Sequence, residues 1–408
     1  MNIVDIINKK RLGEELNWEE LEYSFLGYLN DKIESYQMSA LLMAICLKGM
    51  TDDEIVNLTK IFINSGEVLD LSNIEGVKVD KHSTGGIGDK TTLIIAPMVA
   101  SCGIKVAKMS GRGLGYTGGT IDKLESIPGF KTNLEIEEFL DELKTINMVV
   151  SGQTKELAPL DKKIYALRDV TGTVESYPLI ASSIMSKKIA SGADKILIDL
   201  KLGTGALIHK EEDALKLKEI LIKIGESFNK ETRVLITKMD APLGRCIGNS
   251  LEVLEAIDVL KGHIDNDLGN LCIELAANMI SMGKDISIEE AKNEAIESIK
   301  SGKAYKKFLE FVSFQHGDLA HLSISDQVIK IKSDKDGVIT RIDAKTVGEV
   351  SMHLGAGRIT KDDKIDPTVG IVLHKKIGDE VKIGDILCTL HVNKVKESFN
   401  IKEAFTIE

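Results

Sequence analysis

Residues 81–92 read KHSTGGIGDKTT, and residues 108–120 read KMSGRGLGYTGGT. Both stretches combine several glycines with hydroxyl and basic side chains. Glycine lets a backbone approach a ligand closely, so that N–H groups point at anionic oxygens, while Ser, Thr and Lys add donors and charge. Two such loops in one short region predict a binding site for phosphate or for a phosphorylated ligand.

A dinucleotide site is one alternative for the second loop. Residues 113–118 match the G-x-G-x-x-G spacing and follow a predicted strand, Lys105–Met109. That fingerprint should continue directly into a helix. Here Gly119 and Thr120 follow, and Pro128-Gly129 ends any helix early. The context therefore disfavours a nicotinamide or flavin site.

A nucleotide-triphosphate P-loop is the alternative for the first loop. The pair Lys90-Thr91 resembles the end of that motif, which requires Gly immediately before the Lys. Position 89 is Asp, so the spacing excludes this interpretation.

Composition narrows the class of protein. The chain has 408 residues and a net charge of −11, which predicts two or three domains and disfavours nucleic acid or an anionic membrane as a partner. A phosphate site must then be locally basic, and that excess comes from Lys81, His82, Lys105, Lys108 and Arg112.

Cysteine usage and hydropathy suggest a cytoplasmic location. The cysteines number five and form no CxxC pair, which is typical of a reducing compartment. The N-terminus lacks a long apolar signal region, and no apolar run is long enough to span a membrane.

The predicted secondary structure changes along the chain. Asn17 with Glu20 and Thr51 with Glu54 predict capped helices, and Met38–Leu47 predicts a helix buried on most sides. Strands are predicted at Lys105–Met109, Lys195–Leu200 and Val234–Lys238, and an amphipathic helix at Glu212–Phe228. The predicted organisation is a helical domain (1–66), a linker (67–79), an α/β phosphate-binding domain (80–155), a second helical part that binds the base (156–190), a second α/β part (191–330) and a C-terminal β-rich module (331–408).

The C-terminal module contains GIVLHKKIGDEVKIGDIL, from residue 370 to 387. This pattern predicts β-hairpins and superficially resembles biotinyl or lipoyl carriers. The Met-Lys-Met of a biotin acceptor is absent, so we interpret the module as structural.

Beyond the glycines and hydroxyls of the two loops, four side chains are candidates for chemistry. They are His82, Arg168, Ser183 and Lys187, the last two being four apart and so on one helix face. Each alone is more simply explained as a core or surface residue or an ion pair. Together they offer planar and single donors suited to a polar ring edge or to a leaving group that gains negative charge.

At these residues the chain resembles the pyrimidine-nucleoside phosphorylases, the family that includes thymidine phosphorylase. The family signature SGRGLGxTGGTxDKLESIPGF is present at 110–130, and KHSTGGIGD, YALRDVT, PLIASSIMSKK and GIVLHKKIGD also match. The resemblance covers nearly the whole chain. It implies an α/β plus all-α fold, in which a cleft separates a small helical domain from a larger α/β domain, with a C-terminal α+β, β-hairpin module.

The resemblance implies reversible phosphorolysis of a pyrimidine nucleoside by inorganic phosphate in a cytoplasmic homodimer. It assigns His82, Arg168, Ser183 and Lys187 to catalysis, His82 as the acid or donor at the base O2. Phosphate is expected on Lys81, His82, Ser83, Thr92, Lys108, Met109, Ser110 and Thr120. The base is expected on Arg168, Ser183 and Lys187, with Leu114, Tyr165, Val174, Ile180 and Leu207 lining its pocket; relatives commonly carry Phe at the position of Leu207.

Family members also bind a structural monovalent cation, K⁺. The implied ligands are Gly88, Lys90, Leu243, Cys246 and Glu255. Position 90 is Lys where the family usually has Thr. Lysine has no hydroxyl oxygen to offer, and its ammonium is an alternative occupant of the cation's place.

The substrate range and two further alternatives stay open from the sequence. Lys108 is typical of the broad-specificity enzymes and predicts turnover of uridine, thymidine and deoxyuridine; the alternative is a thymidine-specific phosphorylase. A phosphoribosyltransferase of the same fold would need Mg²⁺ beside Asp89 and Asp122. A non-catalytic relative is disfavoured by the presence of all four candidate catalytic residues.

Overall fold

The computed structural model of the chain describes residues 1–113, 115–152, 157–360, 363–393 and 400–408. Its α-helices are α1 (Ile3–Leu12), α2 (Trp18–Leu29), α3 (Ser35–Lys48), α4 (Asp52–Asn64), α5 (Thr91–Ser101), α6 (Thr120–Glu125), α7 (Ile136–Ile146), α8 (Pro159–Arg168), α9 (Tyr177–Ala190), α10 (Glu211–Ser227), α11 (Asn249–Leu260), α12 (Asp267–Lys284), α13 (Ile288–Lys300), α14 (Lys303–Phe314) and α15 (Ala344–Ser351).

The strands are short and lie between these helices. They are β1 (Val79–Ser83), β2 (Val106–Ser110), β3 (Met148–Gly152), β4 (Lys195–Leu202), β5 (Glu231–Lys238), β6 (Cys246–Ile247), β7 (Val328–Lys332), β8 (Gly337–Ile342), β9 (Gly370–Leu373), β10 (Glu380–Val381), β11 (Ile386–His391) and β12 (Phe405–Ile407).

The chain divides into two compact units. The helical unit is Met1–Ile74, Thr154–Ile198 and Glu212–Val234. The sheet unit is Glu75–Gln153, Asp199–Glu211 and Leu235–Glu408. The chain therefore returns to the helical unit twice after leaving it. The domain bounds given above stay predictions, and the predicted boundary at 155/156 falls outside the described residues.

The helical unit is held by one apolar core. Leu160, Ile164 and Leu179 from α8 and α9 join this core with Phe25 and Phe62 from the first four helices. Burial of large apolar side chains is worth about 1.5–3 kcal/mol each, so it fixes the returning segment against the N-terminal helices. The helical character predicted for 156–190 is confirmed by α8 and α9.

Three local predictions for the helical unit are confirmed. Asn17 and Thr51 both form the predicted capping boxes. The prediction that Met38–Leu47 is buried on most sides is confirmed, with one exposed face where Met43 is 37% and Leu47 is 75% exposed. The exposed face of α3 therefore also carries apolar residues.

The strands of the sheet unit place the two glycine-rich loops. β2 pairs in parallel with β3, and Lys78 forms a parallel bridge with Lys105. β1 belongs to a sheet of order β1-β4-β5. The first loop leaves the carboxyl end of β1 and the second leaves that of β2, which is where open α/β sheets bind ligands.

The predicted strands at 105–109, 195–200 and 234–238 correspond to β2, β4 and β5, and the amphipathic helix to α10. The C-terminal module has its own apolar core, which includes Ile87 from the first loop and Ile247 from β6. Through these contacts the module packs on the loop region of the same unit. No helix in the described ranges is both long and apolar enough to cross a membrane.

Candidate active site

The first loop is organised around buried lysines and aspartates. Lys81 is 1% exposed, and its Nζ lies 3.0 Å from Asp199 Oδ2 and donates to Thr91 Oγ1 at 2.7 Å. Lys201 Nζ lies 2.9 Å from the same Asp199 oxygen. Thr237 Oγ1 donates to the other Asp199 oxygen at 2.6 Å. Asp199, in the middle of β4, therefore holds two ammonium groups.

The surrounding charges keep Lys81 and Asp89 ionised. Burial works to lower the pKa of Lys81, but the carboxylates of Asp199 and Asp89 outweigh it and raise that pKa. Burial works to raise the pKa of Asp89, but Lys81, Lys201 and the Ser83 and Thr91 hydroxyls hold it well below its usual range. The loop thus presents fixed positive and negative charges at neutral pH.

Asp89 accepts hydrogen bonds from two hydroxyls of the first loop, of which only that of Ser83 was predicted to bind phosphate. Ser83 Oγ donates to Asp89 Oδ2, and Thr91 Oγ1 donates to Asp89 Oδ1 at 2.6 Å. Ser83 Oγ also accepts from the Gly85 amide at 3.2 Å. A hydroxyl has one hydrogen to give, so a phosphate that accepts from Ser83 competes with Asp89 for it.

The other predicted phosphate residues also lie in the sheet unit. His82 is on β1, Thr92 is the second residue of α5, and Thr120 is the first residue of α6. Met109 and Ser110 end β2. Lys108, also on β2, is 5% exposed; its Nζ donates to the Lys81 carbonyl at 2.6 Å and lies 4.0 Å from Asp80 Oδ1.

The second loop folds back on itself. A Cβ on Gly119 would lie 2.2 Å from the Gly113 nitrogen, and a Cβ on Gly113 would lie 2.5 Å from the Gly119 nitrogen. Only glycine allows this approach. The Gly113 amide donates to Asp122 Oδ2 at 2.6 Å, which closes the turn onto α6. The predicted pocket residue Leu114 lies outside the described residues.

Lys123 joins the two loops. Its Nζ donates to the Asp89 carbonyl at 3.0 Å and to the Gly118 carbonyl at 3.3 Å, and lies 3.2 Å from Glu252 Oε2. The side chain is 1% exposed. Sequence reasoning assigned Lys123 no role, although it lies within the quoted signature. Lys123 follows the second loop by three residues, but its contact with Asp89, 34 positions away, gave no local signal.

A second cluster lies in the helical unit, on α8 and α9. Lys187 Nζ donates to Ser183 Oγ at 3.1 Å and lies 2.9 Å from Asp161 Oδ2. Both Lys187 Nζ and the Arg168 guanidinium carbon are 5.9 Å from the Tyr165 ring centroid. The structure therefore brings together four of the residues predicted for the base. It adds Asp161, which sequence reasoning missed.

Arg168 is held rigidly. Its Nε donates to Thr173 O at 3.1 Å, Nη1 to Leu179 O at 3.2 Å and Nη2 to Val174 O at 2.7 Å. Burial lowers the pKa of this guanidinium from its ordinary value, which is high enough that arginine keeps its charge. The guanidinium has five N–H donors and these bonds use three of them. The backbone carbonyls of residues 173–179 therefore hold Arg168 in one orientation.

The remaining pocket candidates are divided between the units. Val174 supplies its carbonyl to Arg168, and Ile180 is buried on α9 of the helical unit. Leu207 belongs to the sheet unit and lies beside the bridge between Leu202 and Ile208.

The five predicted cation ligands come together in the sheet unit, but around the ammonium of Lys90. Lys90 Nζ donates to the carbonyls of Leu243 and Cys246 and to Glu255 Oε2. Within the described ranges no group of three or more His, Cys, Asp or Glu side chains could hold a metal ion.

Comparison with known proteins finds related domains along most of the chain. Residues 4–66 match the glycosyl transferase family helical bundle domain, 75–305 match that family's a/b domain, and 338–407 match the pyrimidine nucleoside phosphorylase C-terminal domain. A pyrimidine-nucleoside phosphorylase of Staphylococcus haemolyticus is 50% identical over 97% of this chain and 93% of its own length. The chain belongs to the pyrimidine-nucleoside phosphorylase family.

Further relatives in this family are similarly close. The pyrimidine-nucleoside phosphorylases of Geobacillus stearothermophilus and Bacillus subtilis are each 49% identical over 97% of this chain and 93% of their own length. Anthranilate phosphoribosyltransferase from Thermus thermophilus superposes with a TM-score of 0.60 at 18% identity, covering 76% of this chain and 99% of its own. That likeness shows the fold, and it confirms the predicted helical and α/β fold class.

Proposed function

We propose that this pyrimidine-nucleoside phosphorylase catalyses the reversible phosphorolysis of uridine, thymidine and deoxyuridine. The products are the free base and the α-configured ribose or deoxyribose 1-phosphate. The observation that carries the proposal is the Arg168–Ser183–Lys187 cluster beside Tyr165, in a chain whose glycine loops carry the family signature. We further propose a cytoplasmic location, since all five cysteines are free thiols, and a homodimer, as the family resemblance implies.

The helical-unit cluster suits a pyrimidine edge. Departure of the base puts negative charge on its carbonyl oxygens, and hydrogen bonds from donors aimed at those oxygens strengthen as the charge develops. Lys187 supplies an ammonium oriented by Asp161 and Ser183. Arg168 supplies the N–H donors that its three carbonyl bonds do not use. His82 is proposed as the donor at the base O2.

The sheet-unit loops suit inorganic phosphate. Lys81 keeps its charge because Asp199 and Asp89 raise its pKa against burial, and the loop glycines allow backbone amides to approach the anion. Phosphate bound there stabilises the cationic sugar and then attacks C1′ opposite the leaving base. The C1′–N bond breaks, the C1′–O bond forms, and the centre inverts to the α-1-phosphate.

Lys108 is proposed to favour substrates that carry a 2′-hydroxyl. Its ammonium is buried next to Lys81, in the phosphate-binding strand region. We expect uridine and thymidine both to react. A kcat/KM for uridine more than about a hundredfold below that for thymidine, a gap of ~2.7 kcal/mol, would assign the protein as a thymidine-specific phosphorylase.

The test is release of uracil or thymine from the three nucleosides, with and without phosphate, in EDTA. Phosphate-dependent release from both sugar types without divalent metal is the expected result. A requirement for Mg²⁺ would instead favour a phosphoribosyltransferase of the same fold. No release from any nucleoside would refute the proposal.

A further inference from the structure

Lys90 lies at the junction of the first glycine loop and α5, and its ammonium points into the protein. The side chain is fully buried. Its Nζ donates to the Leu243 carbonyl at 3.1 Å, to the Cys246 carbonyl at 2.8 Å and to Glu255 Oε2 at 2.5 Å. Two carbonyls and a carboxylate form an oxygen cage of the kind that binds a small cation.

The cage is built by the surrounding backbone as well as by Lys90. Glu255 Oε1 accepts from the Arg245 amide at 2.6 Å, and Oε2 accepts from the Cys246 amide at 2.9 Å. A Cβ on Gly88 would lie 2.5 Å from the Leu243 carbonyl. The loop at 243–246 is therefore packed tightly against the first glycine loop, and Glu255 on α11 is fixed before any ligand arrives.

These residues do not fit an additional metal ion. Family resemblance implied K⁺ on residues 88, 90, 243, 246 and 255, and three of those five already bind the Lys90 ammonium. A second cation would need the same oxygens and would lie against a positive charge, which a buried site makes costly. The Lys90 ammonium is paired with Glu255 Oε2 at 2.5 Å, so the cage already holds one positive charge.

We propose that Lys90 is a tethered cation that replaces the monovalent metal ion, and that this protein needs no K⁺. The ammonium links the start of α5 to the loop at 243–246 and to α11. It thereby holds Asp89 and Thr91, the neighbours of Lys90, in place beside Lys81. The inference concerns cation binding and stability, so it is independent of which nucleosides are substrates.

The test compares cation binding and thermal stability in wild type, Lys90→Thr and Lys90→Met. Thermal unfolding is measured in KCl and in tetramethylammonium chloride at equal ionic strength, and binding is measured by equilibrium dialysis with Rb⁺. We expect wild type to have the same Tm in both salts and to bind no Rb⁺. Lys90→Thr removes the ammonium and supplies a hydroxyl. In tetramethylammonium chloride its Tm should lie at least ~5 °C below that of wild type, and in KCl it should recover. Dialysis should show one Rb⁺ bound per chain.

Lys90→Met is the matched control, because it fills the same space without a charge or a hydroxyl. Its Tm should be lowered in both salts. Binding of Rb⁺ by wild type, or a K⁺-dependent rise in the wild-type Tm, would overturn the proposal. So would a Lys90→Met variant as stable as wild type in tetramethylammonium chloride. The wild-type measurements stand by themselves if Lys90→Thr does not fold.

Discussion

Arg358 Nη1 donates to Asp122 Oδ1 at 2.8 Å, although the two residues are 236 positions apart in the chain. The same Nη1 donates to the Gly113 carbonyl at 3.2 Å, and the Arg358 carbonyl accepts from the Gly115 amide at 2.9 Å. Asp122 in turn accepts from the Gly113 amide. The C-terminal module therefore holds the second glycine loop from outside, which gives this module a positioning role.

Replacing Arg358 by Ala should loosen that loop. We expect KM for phosphate to rise roughly tenfold, the equivalent of one charge-assisted hydrogen bond at ~1.4 kcal/mol, with a smaller change in kcat. Arg341→Ala is the control, since Arg341 forms an exposed ion pair with Asp343 in the same module. Initial rates at varied phosphate measure both. Equal KM values in the two variants would show that Arg358 does not position the loop.

The glycines of the second loop differ in how much space surrounds them. A Cβ on Gly119 would lie 2.2 Å from the Gly113 nitrogen and 2.6 Å from the Arg112 carbonyl carbon, whereas a Cβ on Gly111 would meet nothing within 4 Å. Gly119→Ala should therefore lower Tm, and Gly111→Ala should leave Tm near that of wild type. Differential scanning calorimetry compares them. A Gly119→Ala protein as stable as Gly111→Ala would contradict the tight turn described here.

Removal of the Lys187 ammonium should affect the chemical step. Lys187→Met should lower kcat/KM for thymidine by about 10²–10³-fold, the range seen when a donor to a developing negative charge is lost. Lys162→Met on the exposed face of α8 is the matched control, and its kcat/KM should change little. Steady-state kinetics together with far-UV circular dichroism separate lost chemistry from lost folding. A small change in the Lys187 variant would remove this residue from the base site.

Glu142 predicts a pH-dependent stability. It is 1% exposed on α7, its Oε1 has no hydrogen-bond partner among the described residues, and burial raises its pKa to about 9. Between about pH 4.5 and pH 9 the unfolded chain ionises this group while the folded chain keeps it protonated. The folded state then binds the extra proton, so this contribution to the free energy of unfolding falls as pH rises through that window.

Glu142→Gln should abolish this dependence. The Tm of the variant minus that of wild type should be small near pH 4.5 and should increase steadily towards pH 9. Asp141→Asn, at an exposed position on the same helix, serves as the control and should show no such trend. Thermal unfolding across the pH range gives the difference directly. A difference that stays constant with pH would mean that Glu142 is not held protonated.

The sequence predicted those features that depend on neighbours along the chain. The capping boxes at Asn17 and Thr51, strands β2, β4 and β5 and helix α10 follow from local patterns, and the Ser183–Lys187 pair follows from helical spacing. The burial of most of α3 follows from its apolar run, but such a run does not reveal which face is exposed to solvent, as Leu47 shows.

Contacts between distant segments could not be predicted in this way. Asp199 reaches Lys81 from another strand, and Arg358 reaches the second loop from the C-terminal module. The position of the Lys90 ammonium needed the loop at 243–246 and α11 to be placed first. Such pairings depend on tertiary packing, for which a single sequence carries no local signal.

The central claim is transfer of the sugar to phosphate, and ³¹P NMR of the protein with uridine and inorganic phosphate tests it most directly. We predict that the resonance of α-ribose 1-phosphate grows, and that the amount formed equals the amount of uracil released. Release of uracil with free ribose, or no reaction at all, would contradict the account.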